Sequence, residues 1–247
     1  MDTCQLIVDG PSRGTWNMAV DEALLEAASE SGVATLRFYT WKSPTLSLGY
    51  FQIAEQRHAH QESRPCDLLR RSSGGGAIVH DHELTYSLCL PDERLLGRPA
   101  RLYDLVNEAL IESLGSEGIA AQTVAESKTI DKQEGDAFLC FSRRAAADVL
   151  VNEVKICGSA QRRRRGGVLQ QGSILLRRSS CAPQLPGIED LVDRSINLQK
   201  LRLNLAAGIT RRLELPQQSL ALSGPLQRRA CEIEREKYGS AKWTSRR

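Results

Sequence analysis

Two periodicities of hydrophobic and polar residues run through the first half of the chain, and each predicts a different kind of element. From Trp16 to about Ser29, apolar residues recur at helical spacing, which predicts a helix that ends near Gly32. Residues 51–63 have a polar pattern that also favours a helix. Short runs of alternating or consecutive apolar residues predict strands at residues 5–8, 36–41, 45–50, 67–71, 77–80 and 84–90.

The second half of the chain begins with a clean amphipathic helix and then returns to strands. Apolar residues from Leu102 to Leu114 share one helical face, and Gly115 or Gly118 ends that helix. A polar stretch follows at residues 125–136. Strands are then predicted at residues 147–151, 155–159 and 168–176, and helices at residues 198–209 and from about residue 223 onward.

The order of these elements predicts the fold class. Strand runs with helices interposed at irregular intervals are typical of α+β proteins rather than of strict α/β alternation. No internal repeat and no long linker divides the sequence. We therefore expect an α+β fold with a mixed, largely antiparallel sheet flanked by helices, and a single domain over residues 1–247.

Composition excludes several classes of protein. With 247 residues, of which 41% are hydrophobic and 26% charged, the sequence is that of a soluble globular protein with a sizeable core. No apolar run approaches the roughly 18 residues of a membrane-spanning helix. The start Met1–Cys4 lacks the basic and then apolar pattern of a secretory signal. We therefore expect a cytoplasmic protein with no membrane partner.

Cysteine, histidine and charge content narrow the chemistry. The seven cysteines are odd in number and contain no CxxC motif, so neither a disulfide framework nor a zinc knuckle is indicated. Most of these thiols are expected to be reduced and buried. The histidine pairs His58/His60 and His80/His82 lack Cys and carboxylate partners at ligand spacing, so we expect no metal site. A net charge of +3 is too small to indicate nucleic-acid binding.

Two segments carry candidate chemistry. In the first, Gly74–Gly76 leave backbone amides bare between two strands, so these amides can bind carbonyl or phosphate oxygens. Arg70 and Arg71 add a fork for an anion; a flexible hairpin loop is the alternative. In the second, Lys155 stands at the start of an apolar strand and small residues follow it, which suits a side chain that enters a pocket. A solvated strand-end lysine is the alternative there.

Together these segments resemble the lipoate-protein ligase and octanoyltransferase superfamily. The resemblance rests on three motifs: Arg71-x-x-Gly-Gly-Gly before His80-Asp81, Lys155-Ile-x-Gly-Ser-Ala-Gln, and Leu169-Gln-x-Gly-Ser-Ile-Leu. It extends through the first helix and hairpin to Lys237, Tyr238 and Trp243, and so covers nearly the whole chain. It implies the catalytic-domain fold shared with biotin protein ligases, with an acyl tunnel near the glycine loop. The substrate-binding residues that it implies are Arg71, Ser73, Gly74, Gly75, Gly76, His80, Gly158, Ser159 and Ala160.

Within this superfamily the reaction depends largely on one residue. The resemblance implies one of two reactions. Either the enzyme activates lipoate as an adenylate, as ATP-dependent ligases of this superfamily do, or it passes the acyl group through a cysteine thioester, as the octanoyltransferases do. Cys140 stands fifteen positions before Lys155, and this order and spacing resemble those of LipM-type octanoyltransferases. The implied reaction moves octanoyl from acyl carrier protein to a lysine of a lipoyl domain or of glycine cleavage H protein. The alternatives are an ATP-dependent lipoate ligase and an amidotransferase that moves octanoyl or lipoyl groups between lipoyl domains.

Charge explains why the two residues are paired. A free thiol has a pKa near 8.5, and an adjacent ammonium can lower that pKa into a range of roughly 3.5 to 7.5. Cys140 is therefore the expected nucleophile, and Lys155 the charge beside it. Lys155 can also take a proton from the incoming amine, and backbone amides near Gly75 can hold the oxyanion. His80 is expected to be a pocket or structural residue, or alternatively a base for Cys140, and Cys157 is the runner-up nucleophile.

Partners and cofactors complete the expectations. The run Arg162–Arg165 is typical of a solvated loop, and it can also meet acidic acyl carrier and lipoyl domains, with nucleic acid as the competing partner. Gln171 stands where many relatives carry histidine, which leaves the role of its turn open. We expect no cofactor, no nucleic-acid partner and a monomer.

Overall fold

The structure, a computed structural model, describes residues 2–92, 100–126 and 138–246. The strands are β1 (Cys4–Ser12), β2 (Ala34–Trp41), β3 (Thr45–Leu48), β4 (Asp67–Arg70), β5 (Ile78–His80), β6 (Glu83–Pro91), β7 (Gln122–Thr123), β8 (Val149–Val151), β9 (Val154–Arg164), β10 (Gly167–Leu175) and β11 (Gln217–Ser219). The helices are α1 (Gly14–Ser31), α2 (Ala100–Gly115), α3 (Ile188–Val192), α4 (Leu198–Arg212), α5 (Gly224–Ile233) and α6 (Ala241–Thr244). Tighter 3-10 turns occur at Ala54–Ala59 and Cys140–Ser142, and a π-helical turn at Glu234–Tyr238.

Two sheets form the framework of the described part of the chain. The larger has the strand order β11–β1–β2–β6–β10–β9–β8–β7, and the smaller the order β4–β3–β5. In the larger sheet β1 pairs in parallel with β11 and with β2, and the other pairs are antiparallel. Helix α1 makes the crossover between β1 and β2, because parallel neighbours cannot be joined by a tight hairpin. The expected α+β fold with a mixed, largely antiparallel sheet flanked by helices is confirmed.

Helices cover both faces of the larger sheet. On one face, α2 and α4 share an apolar core with Leu36 and Phe38 of β2, and on the other, α1 and α5 share one with Tyr39 and Trp41 of the same strand. A third apolar cluster, which includes Leu139, packs against the smaller sheet. Because both faces are covered, β2 and β6 are buried along nearly their whole length. No helix among the described residues is both long enough and apolar enough to cross a membrane.

Of the two helices that the hydrophobic pattern predicts before residue 64, the structure contains the first but not the second. Helix α1 ends at Gly32, whose φ of 66° is left-handed, as a glycine stop signal predicts. Residues 51–63 contain a single 3-10 turn rather than a longer helix, and none of the residues of that turn is buried. Within this turn Ala54 packs against the third apolar cluster but is only partly buried, so burial reinforces the helical pattern little.

The arginine run is part of a strand. We expected a loop at Arg162–Arg165, but β9 continues through Arg164, and the turn follows at Arg165 and Gly166, which both have positive φ. Pairing with β10 extends the strand, because Arg162, Arg163 and Arg164 lie opposite residues of that strand. The polar stretch 125–136 lies mostly outside the described residues.

One buried cation ties α1 to the larger sheet. The Arg37 side chain is fully buried, and its guanidinium donates to Oδ2 of Asp9 and to Oδ1 of Asp21, each at 2.7 Å. Tyr39 and Ser87 also donate to the Asp21 carboxylate. Burial by itself lowers the pKa of Arg37, but Asp21 and the other partners raise that pKa above its ordinary value. The buried guanidinium is therefore paired with two carboxylates and has its hydrogen bonds satisfied within the fold.

Candidate active site

A cavity of about 530 Å³, including its open mouth, lies where the two sheets meet. Side chains of β2, β6, β9 and β10 reach it from the larger sheet, and β5 reaches it from the smaller one. Two of the predicted site residues do not line this cavity: Gly76 lines an adjoining groove, and Lys155 lines a separate one. We call this space the thiol cavity, after Cys140. Its lining contains Cys140 and eight predicted binding residues: Arg71, Ser73, Gly74, Gly75, His80, Gly158, Ser159 and Ala160.

The glycine loop is wrapped around the guanidinium of Arg71. Nη2 donates to the carbonyl oxygens of Gly74 and Gly76, each at 2.7 Å, and Nη1 donates to the carbonyl oxygen of Ser47 at 3.0 Å. Burial lowers the pKa of Arg71 to about 10, while the neighbouring Cys140 acts in the opposite direction. The Nε–H of Arg71 is buried and has no partner among the described residues. The guanidinium therefore shapes the loop through its two Nη groups and keeps one donor unused.

Close backbone approach explains why the loop and its neighbours are glycines. A Cβ on Gly49 would lie 1.9 Å from the carbonyl oxygen of Gly75, and one on Gly76 would lie 3.0 Å from the amide nitrogen of Cys140. Gly75 itself has a φ of 92°, a conformation that side chains rarely adopt. The strand end, the loop and the segment that carries Cys140 are thus packed backbone against backbone.

Cys140 begins a short turn that is held against the glycine loop. Its amide donates to the carbonyl oxygen of Ala77 at 2.7 Å, and the residue is half-buried. A Cβ on Gly75 would lie 3.8 Å from Cys140 Sγ and 3.1 Å from an Arg71 nitrogen. The thiol is therefore at the wall of the cavity, within reach of both the loop and the guanidinium.

Lys155 holds the turn that carries Cys140 from behind. Its Nζ donates to the carbonyl oxygens of Cys140 and Arg143 at 3.2 and 3.1 Å, and pairs with Oδ2 of Asp148 at 2.8 Å. These three contacts account for the three N–H donors of the ammonium. A Cβ on Gly158 would lie 2.9 Å from Lys155 Cε, so the lysine side chain would have to shift to accommodate a larger residue there. The structure thus places the ammonium on the backbone of the Cys140 turn.

His80 is fixed on both sides of its ring. Nε2 lies 2.7 Å from Ser47 Oγ, Nδ1 lies 2.8 Å from Glu83 Oε1, and the ring stacks on Trp41 at 3.9 Å. The same Glu83 oxygen accepts a hydrogen bond from Ser173. These contacts favour the pocket or structural role of His80 over that of a base for Cys140. Among the described residues, no group of three His, Cys, Asp or Glu could hold a metal ion.

Gln171 joins two parts of the cavity wall. Its Nε2 donates to Asp21 Oδ2 at 2.6 Å, and its Oε1 accepts a hydrogen bond from Ser73 Oγ at 3.3 Å. It therefore connects the glycine loop to the buried Arg37 and Asp21 pair of α1 and β2. Gly172 and Ser173 of the third motif also line the cavity, although they were not named as binding residues. Sequence reasoning did not identify five other lining residues: Met18, Tyr39, Ile78, Thr85 and Phe141.

Residues near α6 brace the strand that leads into the glycine loop. The indole N–H of Trp243 donates to the carbonyl oxygen of Arg70 at 2.9 Å, and Arg70 Nη1 donates to that of Gly49 at 2.8 Å. Tyr238 donates to Glu22 Oε2 at 2.6 Å, which fixes the preceding turn to α1. The C-terminal motif therefore supports the site without lining the cavity.

The other cysteines are poorly suited to react. Five of the seven are buried, and all seven are free thiols. Burial, with smaller effects from neighbours, raises the pKa of Cys157 to about 12, so this runner-up thiol is neutral near pH 7. Cys231 is exposed on α5, contrary to the expectation of burial, but it does not line the cavity.

Comparison with known proteins places the chain among lipoylation enzymes. Residues 13–182 match the family described as the lipoyl protein ligase A/B catalytic domain. The chain is 32% identical to octanoyltransferase LipM of Clostridioides difficile (strain 630), over 85% of this chain and 86% of that protein. It is 31% identical to octanoyltransferase LipM of Carboxydothermus hydrogenoformans, over the whole of both chains. The resemblance drawn from the sequence motifs is confirmed.

Solved structures show the same fold. A lipoate-protein ligase A bound with ATP superposes with a TM-score of 0.76 at 21% identity, over 99% of both chains. A bipartite lipoate protein ligase from Thermoplasma acidophilum, studied with its E2 lipoyl domain, superposes with a TM-score of 0.74 at 21% identity, over 99% of this chain and 96% of that one. The expected lipoate ligase catalytic-domain fold is therefore confirmed.

Proposed function

Because the chain belongs to the family of lipoyl protein ligase A/B catalytic domains, we propose that the thiol cavity carries out octanoyl transfer through a thioester on Cys140. The octanoyltransferase activity follows from curated relatives of that name that align with 85% and 100% of this chain. The observation that carries the thioester is the position of Cys140, which alone among the seven cysteines lines the cavity. Residues 1–247 act in this proposal as one catalytic domain.

In the first half-reaction, the Cys140 thiolate attacks the carbonyl carbon of a carrier-bound octanoyl thioester. A bond forms between that carbon and Sγ, the bond to the carrier sulfur breaks, and the carrier leaves as a thiolate that takes up a proton. One thioester replaces another, so the step is nearly isoenergetic and needs no nucleotide. The octanoyl chain then occupies the thiol cavity.

In the second half-reaction, the ε-amine of an acceptor lysine attacks the Cys140 thioester. A C–N bond forms and the C–S bond breaks. The amine loses one proton, and the Cys140 thiolate that leaves takes one up. Conversion of a thioester into an amide makes this step favourable. The unused Nε–H of Arg71 and backbone amides near Gly75 are the donors that we assign to the oxyanion.

We assign Lys155 the task of positioning the nucleophile. Its ammonium fixes the carbonyl of Cys140 and brings positive charge to the turn that carries the thiol. The role of proton acceptor, expected from the sequence, requires the ammonium to give up a proton while it is paired with Asp148 at 2.8 Å. Positioning is the role that these contacts favour.

The proposed partners are octanoyl acyl carrier protein as donor and a lipoyl domain or glycine cleavage H protein as acceptor. The arginine run supports this choice, because it lies close to the glycine loop. Arg162 lies over the ring of Tyr50, 5.2 Å from its centre, and the Tyr50 amide donates to the carbonyl oxygen of Ser73. In this run Arg163 and Arg165 are exposed and Arg162 is half-buried, so the run would attract acidic carriers in a salt-dependent way. Seven free thiols are typical of a reducing compartment, which supports a cytoplasmic location.

The proposed function is tested by supplying the donor with and without nucleotide. In the first mixture, the protein is incubated with octanoyl acyl carrier protein and an apo lipoyl domain in the absence of ATP. In the second mixture, the donor is free octanoate with ATP and magnesium. The mass of the acceptor domain is measured by mass spectrometry. We expect octanoylation of the acceptor, and no product from free octanoate with ATP and magnesium. Product that forms in the second mixture alone identifies a ligase, and product from an octanoylated lipoyl protein alone identifies an amidotransferase.

Gly49→Ala is expected to slow transfer about 100-fold. Its methyl carbon would lie 1.9 Å from the carbonyl oxygen of Gly75, so the glycine loop must move away from the strand end. A displacement of about 1 Å at the reacting atoms is enough for a loss of that size. The measurement is the single-turnover rate of octanoyl transfer. Gly10→Ala is the matched control, because nothing lies within 4 Å of its added carbon; equal rates for the two variants would contradict the prediction.

A further inference from the structure

A second groove adjoins the thiol cavity at Gly75, and we propose that it binds the pantetheine arm of the thioester donor, a proposal that rests on the octanoyl transfer assigned above. We call it the outer groove. It measures about 890 Å³ including its open mouth. The residues of its wall that matter here are Phe51, Ile53, Gln56, Gly76, Phe138 and Arg143.

The reaction needs a separate place for the leaving half of the donor. In the tetrahedral intermediate, the former carbonyl carbon bears Sγ of Cys140, the oxyanion, the octanoyl chain and the carrier sulfur. When the octanoyl chain lies in the thiol cavity, the carrier sulfur and everything attached to it must lie outside. Gly75 is shared by both spaces, and a Cβ on it would lie 3.8 Å from Sγ. With a glycine there, residue 75 places no side chain between the thiol and the outer groove.

The wall of the outer groove presents apolar surface to solvent. Phe51 is 66% exposed and Ile53 is 51% exposed, and both lie at its edge. Adjacent exposed apolar side chains beside a reactive group are typical of a ligand contact rather than of an ordinary surface. A pantetheine arm offers methylene and dimethyl groups to such a wall, and two amides that can pair with the exposed side-chain amide of Gln56.

The base of the outer groove is already rigid. The side chain of Gln52 accepts a hydrogen bond from the amide of Gly49 at 2.8 Å and donates to the carbonyl oxygen of Phe138 at 3.3 Å. The Gly49 end of β3 and the Phe138 end of the Cys140 segment are therefore tied together across the floor. A preformed site loses less conformational freedom on binding than one that must be ordered by its ligand.

Charge favours an arm that ends in a phosphate. Of the described residues that line the outer groove, Arg143 alone is charged. A guanidinium on this wall suits the phosphodiester that joins a pantetheine arm to its carrier. The Arg143 carbonyl accepts a hydrogen bond from Lys155, which holds this part of the backbone next to the Cys140 turn.

The test compares donors that carry the same octanoyl chain on different leaving groups. The donors are octanoyl acyl carrier protein, the octanoyl thioester of phosphopantetheine, and the octanoyl thioester of mercaptoethanol, which has no arm. The variant is Ile53→Glu, which replaces an exposed apolar contact with a negative charge. Leu203→Glu on α4 is the matched control, since Leu203 is 55% exposed and lies outside both spaces. Formation of octanoyl protein is followed by mass spectrometry under single-turnover conditions.

Ile53→Glu is expected to lower the apparent second-order rate constant about tenfold or more with the two donors that carry an arm. With the mercaptoethanol thioester, the loss is expected to shrink to less than about twofold, because no arm reaches the groove. An equal loss with all three donors, or no loss with any, overturns the proposal. A loss confined to transfer from preformed octanoyl protein to the acceptor assigns the groove to the acceptor and also overturns it. If the wild-type protein is acylated by none of the donors, the proposed function itself has failed.

Discussion

Replacing Cys140 with alanine is expected to reduce ATP-independent octanoyl transfer by about 10⁴-fold or more, because a nucleophile that forms a covalent intermediate has no substitute in the site. Cys157, the alternative nucleophile, is buried, and burial raises its pKa to about 12. It does not line the thiol cavity. Removal of the Cys140 thiol therefore leaves no cysteine in the lining of the thiol cavity.

The measurement combines a rate with a mass. Wild-type protein incubated with octanoyl acyl carrier protein should gain the mass of one octanoyl group, and the Cys140→Ala variant should gain none. Because Cys140 is half-buried, its replacement should change the thermal unfolding midpoint little. Cys231→Ala is the control for the chemical change, since Cys231 lies exposed on α5, and it should keep full activity. Transfer by the Cys140→Ala variant at the wild-type rate would contradict the thioester mechanism.

Arg37→Met is expected to lower the free energy of unfolding by about 3–5 kcal/mol, because it leaves the buried Asp21 carboxylate without its cation. Asp21 is 1% exposed, so water cannot replace the lost ion pair. The same carboxylate accepts a hydrogen bond from Gln171, which lines the thiol cavity. The loss of stability should therefore be accompanied by loosening of the cavity wall.

Denaturant unfolding measures the effect, and a surface arginine provides the control. Arg229→Met removes an exposed pair with Glu26 and should cost no more than about 1 kcal/mol. Adding Asp21→Asn to Arg37→Met should recover part of the loss, since the double variant no longer buries the unpaired charge of Asp21, while the partly exposed Asp9 remains in contact with water. Equal destabilisation by Arg37→Met and Arg229→Met would show that the buried network does not stabilise the fold.

Local patterns were sufficient to predict the fold class, and they indicated two segments of the candidate site, whereas the individual site residues came from the family resemblance. Bare glycines between two strands indicated either a ligand loop or a flexible hairpin loop at Gly74–Gly76, and the structure places this loop against Cys140. A lysine followed by small residues predicted a side chain in a tight space, and Lys155 passes over Gly158 to reach the Cys140 turn. In both cases the residue types reflect a local steric requirement: glycines allow a close backbone approach, and small residues leave space for the lysine. These two segments could therefore be recognised without knowing which distant residues pack against them.

The remaining lining residues could not be predicted, because they depend on what packs against each strand. Along β2, Leu36 and Phe38 face one core while Arg37 and Tyr39 face the other, and both faces are buried. Alternation alone cannot tell a residue under a helix from one beside a cavity. The position of Lys155 was predicted near Cys140, but the atom that it contacts, a carbonyl oxygen rather than the thiol, depends on the fold of the Cys140 turn.

The burial of five of the seven sulfurs makes the protein suitable for active-site titration. Once Cys231 is changed to serine, Cys140 is the one thiol that is not buried, and we expect a small maleimide to label it alone in the native state. The stoichiometry of labelling then counts the molecules that hold a competent site, and specific activity can be expressed per site rather than per milligram. Prior loading with octanoyl donor should block the label in proportion, so that a single reagent reports both the number of sites and their occupancy.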